Sequence, residues 1–361
     1  MGEQRAGRRD ALLVGSVPLA DAEAVFRTTS RILGSDVRQL PDGETRERSN
    51  WINWQLNVMR SASFLVQRSS SDGYGAVMVD IFCPREPDAD PARWEFGPLG
   101  YALAAKQSYP IFARLKSEGV IAHDVKFQVS LPTPLAPMTS FIAPEHYRAV
   151  EPAYERRMQE EIADILSVVP PQELALQWDT AVEFALMEGV FPGALAKCHD
   201  EIMERRVRLT SWVPSSVDLG FHFCYGDAGH RHFKEPVDSG LLVQVANALT
   251  SSAIRPLQWL HLPVPRDRAD SVYFAPMRDL RLSADTRLYL GLLHFSDGVT
   301  GATRRIHAAE EFVGEFGVAT ECGFGRRPAD QVVPLLQLHV DVLRGLDAPA
   351  PPGARHGRTG N

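Results

Sequence analysis

Cysteine is scarce in this chain, with four among 361 residues, at positions 83, 198, 224 and 322. So few thiols, so scattered, exclude a disulfide framework and leave each one free or metal-bound. Long hydrophobic runs are also missing. None reaches the roughly 18 residues of a membrane span, so no membrane partner is expected. The first ten residues are polar and Arg-rich with no apolar stretch. That leaves no visible secretion signal and makes a cytoplasmic location the expectation. Basic residues are not in excess: 38 Lys and Arg stand against 45 Asp and Glu, a net charge of -7. A nucleic-acid partner is not expected, because phosphate binding needs a positive surface. No G-x-G-x-x-G follows the first apolar strand, which removes the strongest sign of a doubly wound dinucleotide-binding sheet.

What is present is the composition of an ordinary globular protein, 44% hydrophobic and 23% charged, in a chain long enough for one large barrel or two average domains. Strand and helix signals alternate along it. Strands are predicted at 11–14, 36–40, 125–131, 174–178, 218–224, 257–262, 287–293 and 317–321. Helices are predicted over 21–33, from Arg46 through Trp51 and Trp54, and over 144–168, 191–209, 241–249, 302–312 and 329–346. Eight strands, each followed by a helix or long loop, predict an α/β chain closed into a (β/α)8 TIM barrel spanning 11–346. An open doubly wound sheet is the alternative. Residues 60–120 break the alternation and read as an insertion after the second strand, with short strands at Ala76–Phe82 and Pro110–Arg114. Residues 1–10 and 347–361 read as disordered tails, the second rich in Pro, Gly and Arg.

The fifth strand carries the clearest chemistry. In Asp218-Leu219-Gly220-Phe221-His222-Phe223-Cys224, alternation sends Leu219, Phe221 and Phe223 to one face and Gly220, His222 and Cys224 to the other. An imidazole and a thiol two residues apart suit one tetrahedral zinc ion, Zn2+, which needs further ligands from elsewhere. A buried strand could carry the same two residues with no metal. Other polar groups fall at strand ends, which a barrel gathers at one mouth. They are Gly15 and Ser16, Asp42 and Glu44, Ser130 and Thr133, Asp179 and Glu183, His261, His294 with Asp297, and Cys322. Asp42 and Glu44 read equally as caps of the helix starting near Arg46, and Asp179 as a helix N-cap. His294 reads as a general acid or as a core histidine. His230 and His232 read as part of a solvated loop, with metal or anion binding as the alternative, and Cys83 and Cys198 read as structural. Arg266, Arg268, Arg326 and Arg327 either meet an anionic substrate at the mouth or form surface ion pairs.

In this order and at these strand ends, the motifs resemble the catalytic barrel of cobalamin-independent methionine synthase, within the superfamily that includes uroporphyrinogen decarboxylase. Val14-Gly15-Ser16 is similar to that family's I-G-S turn, and Asp42-Gly43-Glu44 to its H-G-E motif. Gln177-Trp178-Asp179 resembles its Q-x-D-E-P strand end, His222-Phe223-Cys224-Tyr225 its H-x-C-Y motif, and Glu321-Cys322-Gly323 its D-C-G motif. The resemblance implies a zinc-dependent methyl or alkyl transferase in a core-only form. Zinc would be held by His222, Cys224 and Cys322, with His261 standing where the family has a glutamate ligand. Gly15, Ser16, Asp42, Glu44 and Asp179 would bind substrate, and Asp179 and His294 would serve catalysis. The implied partners are a small-molecule thiol acceptor and a methyl donor, a folate in that family. A zinc lyase or hydrolase on the same barrel, or a non-catalytic binding homologue, is the alternative.

Overall fold

The computed structural model describes residues 9–68, 80–191, 195–227, 229 and 231–347, so residues 1–8 and 348–361 of the expected tails, His230 and most of the expected 76–82 strand lie outside the described residues. Eight strands run parallel in one sheet: β1 Ala11–Leu12, β2 Gln39–Pro41, β5 Lys126–Pro132, β6 Leu174–Thr180, β7 Asp218–Phe223, β8 Trp259–Pro263, β9 Arg287–Leu293 and β10 Gly317–Thr320. Their order is β1-β10-β9-β8-β7-β6-β5-β2. The ring closes through a single parallel bridge between Ala11 and Val37, beside a 2.7 Å bond from Ala11 N to Asp36 O. This is the (β/α)8 barrel that the alternation predicts, and it brings all eight strand C-termini to one mouth.

The strands are buried on both faces, and β6 and β8 show no exposed residue at all. Such strands read as near-continuous apolar runs because helices cover one face and the lumen fills the other. The helices are α1 Ala22–Leu33, α2 Leu56–Ser61, α3 Tyr101–Ser117, α4 Leu135–Phe141, α5 Tyr147–Leu166, α6 Val182–Met187, α7 His199–Thr210, α8 Gly240–Ser252, α9 Ser271–Phe274, α10 Gly298–Glu310 and α11 Val332–Asp347. Capping starts α1: the Asp21 side chain accepts from Ala24 N, and Gly34, at φ 53°, ends the helix. In the lumen, Leu12, Ala175, Trp259, Tyr289 and Ala319 form a separate apolar layer. Directly above it, Asp179, His222 and His261 sit level on three adjacent strands.

Two local expectations differ from the structure. Pro110–Arg114 is not a strand but the middle of α3. Its buried residues Tyr101, Ala102, Ala105, Ser108, Phe112 and Leu115 recur at helical spacing, which an internal proline disguises. The hairpin of this region instead pairs β3 Leu65–Arg68 with β4 Ile81–Pro84, antiparallel. The helix expected from Arg46 is broken into 3-10 turns at Arg46–Asn50 and Asn53–Gln55 before α2. Glu44, Arg46 and Trp51 have φ of 47°, 62° and 49°, which no α-helix accepts.

Candidate metal centre

His222 is the next-to-last residue of β7, on the lumen side, and Cys224 lies one residue beyond the strand. Leu219, Phe221 and Phe223 point outward into the core between sheet and helices, as the alternation predicts. Gly220 beneath His222 has a steric reason: a Cβ there would meet Trp259 ring atoms at 2.0–2.5 Å. Cys322 arrives from the loop after β10. The ligand atoms of His222, Cys224 and Cys322 all lie within 4.8 Å of one another.

These residues fit a zinc-type ion. Two thiolates on one tetrahedral zinc stand ~3.8 Å apart, given Zn–S bonds of ~2.3 Å. The Cys224 and Cys322 sulfurs are 3.9 Å apart. Nδ1 of His222 bonds to His261 Nδ1 at 2.7 Å, whereas its Nε2 is buried with no hydrogen-bond partner among the described residues. An orphaned buried nitrogen is costly unless a ligand satisfies it. The two sulfurs are close enough for one thiol to hydrogen-bond the other. The hydrogen bond from Cys224 holds the Cys322 thiol well below its usual range; burial opposes this, and the Arg326 guanidinium 3.3 Å away adds to it. The same hydrogen bond and burial raise Cys224.

A cleft of about 400 Å³ opens over the three residues. Trp51, Val182, Phe191 and Phe233 give it apolar walls, and Glu44 and Asp179 form its polar end. Glu44 meets solvent only in part and lies deep in the molecule. Burial raises its pKa to about 8; the charge of Arg48 opposes that rise, and those of Asp42 and Cys322 add to it. Burial and then the nearby Glu44 charge also push Asp179 well up, although Gln177 donates to it at 2.9 Å. The nearest cations are engaged elsewhere: Arg48 with Asp42 at 2.6 Å, and Arg326 with Asp227 at 2.8 Å. Such a pair of carboxyls is suited to receive a ligand's cation.

Gly15 and Ser16 line the same cleft. A Cβ on Gly15 would stand 2.5 Å from Glu44 Oε1, so a side chain there would push this carboxylate out of its present place. Ser16 ties that turn to the loop after β10, accepting from Phe324 N at its carbonyl and from Gly325 N at its hydroxyl. Gln128 and Gln177 both donate to Val14 O, pinning β1 from across the lumen. Asp42 is not brought into the cleft. Its oxygens accept from Glu44 N, Arg48 and Ser108, which builds the turn that aims Glu44.

His261 is not brought to the sulfurs either. Its Nδ1 faces His222 and its Nε2 bonds Thr320 O at 3.1 Å, so both nitrogens are engaged within the protein. Burial, and then the neighbouring His222, hold it well below the usual histidine range. His294 lies in a second cleft, of about 850 Å³, that shares Cys322 with the first. Its Nε2 donates to Val264 O at 2.9 Å, its Nδ1 stands 3.5 Å from Glu321, and burial lowers its pKa. The charged imidazole there is His232. Burial disfavours that charge, but Glu321 at 2.9 Å pushes the pKa up to about 9. Sequence reasoning does not single out Glu321, and it places His232 in a solvated loop. The adjacency of Glu321 to Cys322 is the available signal. Arg266 and Arg268 pair with Asp267 and Asp270. Glu183 is buried and accepts from Thr133, away from the thiols.

No family model and no curated protein matches the chain. Solved structures do. A B12-independent methionine synthase from Shewanella sp. W3-18-1, in complex with selenomethionine, superposes with a TM-score of 0.58 at 13% identity, covering 94% of this chain and 97% of that one. A methyltransferase from Methanosarcina mazei gives a TM-score of 0.51 at 11% identity, covering 95% of each chain. At these identities the likeness is one of fold.

Proposed function

We propose that this protein is a zinc-dependent methyl or alkyl transferase acting on a small-molecule thiol, a relative of the methionine synthases. The observation that carries the reading is the convergence of His222, Cys224 and Cys322 beside the desolvated carboxyls of Glu44 and Asp179, whose nearest cations among the described residues pair with other carboxylates. Zinc held by those three residues would supply a Lewis acid that lowers the pKa of the acceptor thiol, so that a thiolate is available at neutral pH. Glu44 and Asp179 bind the acceptor's ammonium group, and its arrival draws the proton from the Glu44 carboxyl. Asp42 and Gly15 hold Glu44 in place. The apolar walls of Trp51, Phe191 and Phe233 exclude water and seat the alkyl part of the acceptor. The methyl donor, a folate or another carrier, occupies the second cleft. There Glu321 keeps a proton on His232 and faces His294, ready for the leaving atom. The shared wall at Cys322 brings donor and acceptor together, which supplies the proximity a displacement needs.

The selenomethionine bound by the Shewanella protein supports an amino acid acceptor, because the ammonium group and apolar side chain of such a zwitterion match the carboxyl pair and apolar walls. The test is transfer of a labelled methyl group to homocysteine and to thiols without an ammonium group, from a panel of methyl carriers. Transfer to homocysteine that falls at least 100-fold in Cys322→Ser is the expected outcome. Hydrolysis or elimination with no thiol product would establish a zinc lyase or hydrolase instead.

A further inference from the structure

Thr320 O can only accept, so the 3.1 Å contact fixes His261 Nε2 as a donor. His261 is fully buried, and among the described residues its ring nitrogens meet only His222 and the Thr320 carbonyl. A His222 that offers Nε2 to the metal keeps its ring proton on Nδ1, and a His261 that donates from Nε2 can accept from it at Nδ1. The 2.7 Å contact between the two Nδ1 atoms therefore has His222 donating to His261. Protonated on Nδ1, His222 carries its lone pair on Nε2, the buried nitrogen with no hydrogen-bond partner among the described residues. Two successive hydrogen bonds, from His222 to His261 and from His261 to the Thr320 carbonyl, leave that lone pair facing Cys224 and Cys322. The packing leaves His261 little freedom, since a Cβ on Gly291 would lie 3.2 Å from its Nε2.

We propose that His261 is a positioning residue: it fixes the Nδ1–H tautomer and ring orientation of His222, and so prepares the metal-binding nitrogen, without binding the metal itself. The proposal rests on the metal reading above. It assigns to a histidine the orienting part that a carboxylate or carbonyl usually plays behind a metal-bound imidazole.

The test uses the full-length protein and two variants. His261→Leu removes the acceptor. His261→Gln keeps one, because a carboxamide oxygen can accept from His222 while its NH2 donates to Thr320. In metal-free protein labelled with 15N-histidine, long-range proton–nitrogen correlations should report His222 protonated on Nδ1 and bare on Nε2 in the parent and in His261→Gln. His261→Leu should lose that single tautomer. Zinc affinity, read by chelator competition, should fall about 10- to 100-fold in His261→Leu and recover in His261→Gln. X-ray absorption on the zinc-loaded parent should show one imidazole nitrogen. A proton on Nε2 of His222 in the parent, two imidazoles in the zinc shell, or undiminished zinc affinity in a folded His261→Leu would each overturn the proposal. Failure of every form to bind zinc, with the tautomer pattern intact, would sink the metal reading alone.

Discussion

Glu44 shows how a single side chain can be placed for function at a cost to the fold. Its backbone is left-handed at φ 47°, and its carboxyl sits where burial raises the pKa to about 8. A carboxyl whose folded pKa exceeds its unfolded value of 4.5 binds its proton more tightly when folded. Stability therefore falls as pH rises from about 4.5 to about 8, and the cost is complete above that. Glu44→Gln should raise the thermal midpoint of the unliganded protein by several degrees at pH 8.5 and change it little at pH 4.5. The same variant should lose binding of ammonium-bearing thiols by at least 10-fold, measured by calorimetry. Equal midpoints at both pH values would mean that the carboxyl is not desolvated. Sequence alternation alone pairs His222 with Cys224, but only the folded barrel shows Cys322 beside them, its sulfur 3.9 Å from that of Cys224.

At the scale of elements, β7 and β8 build the centre through a size match. The absence of a side chain at Gly220 admits the Trp259 ring, and that ring fills the lumen below His222 and His261. Gly220→Ala should push β7 away from β8, destabilise the protein by about 1–3 kcal/mol and weaken zinc binding as His222 moves. Gly97→Ala, where a Cβ would meet nothing within 4 Å, is the control and should change neither. A denaturation midpoint for Gly220→Ala equal to that of Gly97→Ala would remove Trp259 from its place under the site. The elements also show what periodicity conveys. The long apolar strands β5, β6, β7 and β9 are legible because parallel strands buried on both faces leave continuous runs. Helix α3 is not, because Pro110 reads as a breaker when its neighbours' helical spacing is overlooked. The segment after Gly43 reads as one helix because its left-handed residues at Glu44, Arg46 and Trp51 are not glycines and so give no sign of a break.

At the scale of the whole molecule, the barrel converts sequence distance into proximity. Cys224 and Cys322 are 98 residues apart in sequence and 3.9 Å apart in space. Their meeting is legible as soon as eight strands are counted, since every strand end then points to one mouth. The roles of His261 and Asp42 are not legible, because strand register places a side chain on a face without saying which way its ring or carboxylate turns. His232 and Glu321 escape notice for a related reason: the loop that carries His232 folds back over the mouth to a residue 89 positions later. The likeness of fold to a methionine synthase and a methyltransferase agrees with the barrel but leaves the chemistry to this chain's own residues. The central claim is that His222, Cys224 and Cys322 hold zinc and present it to a thiol. Its most direct measurement is elemental analysis of the purified protein and of Cys224→Ser, and then the zinc X-ray absorption spectrum as homocysteine and other small thiols are added. The account predicts stoichiometric zinc in the parent, its loss in the variant, and a new sulfur neighbour on thiol addition. Zinc that survives Cys224→Ser, or that gains no sulfur from any thiol, would contradict it.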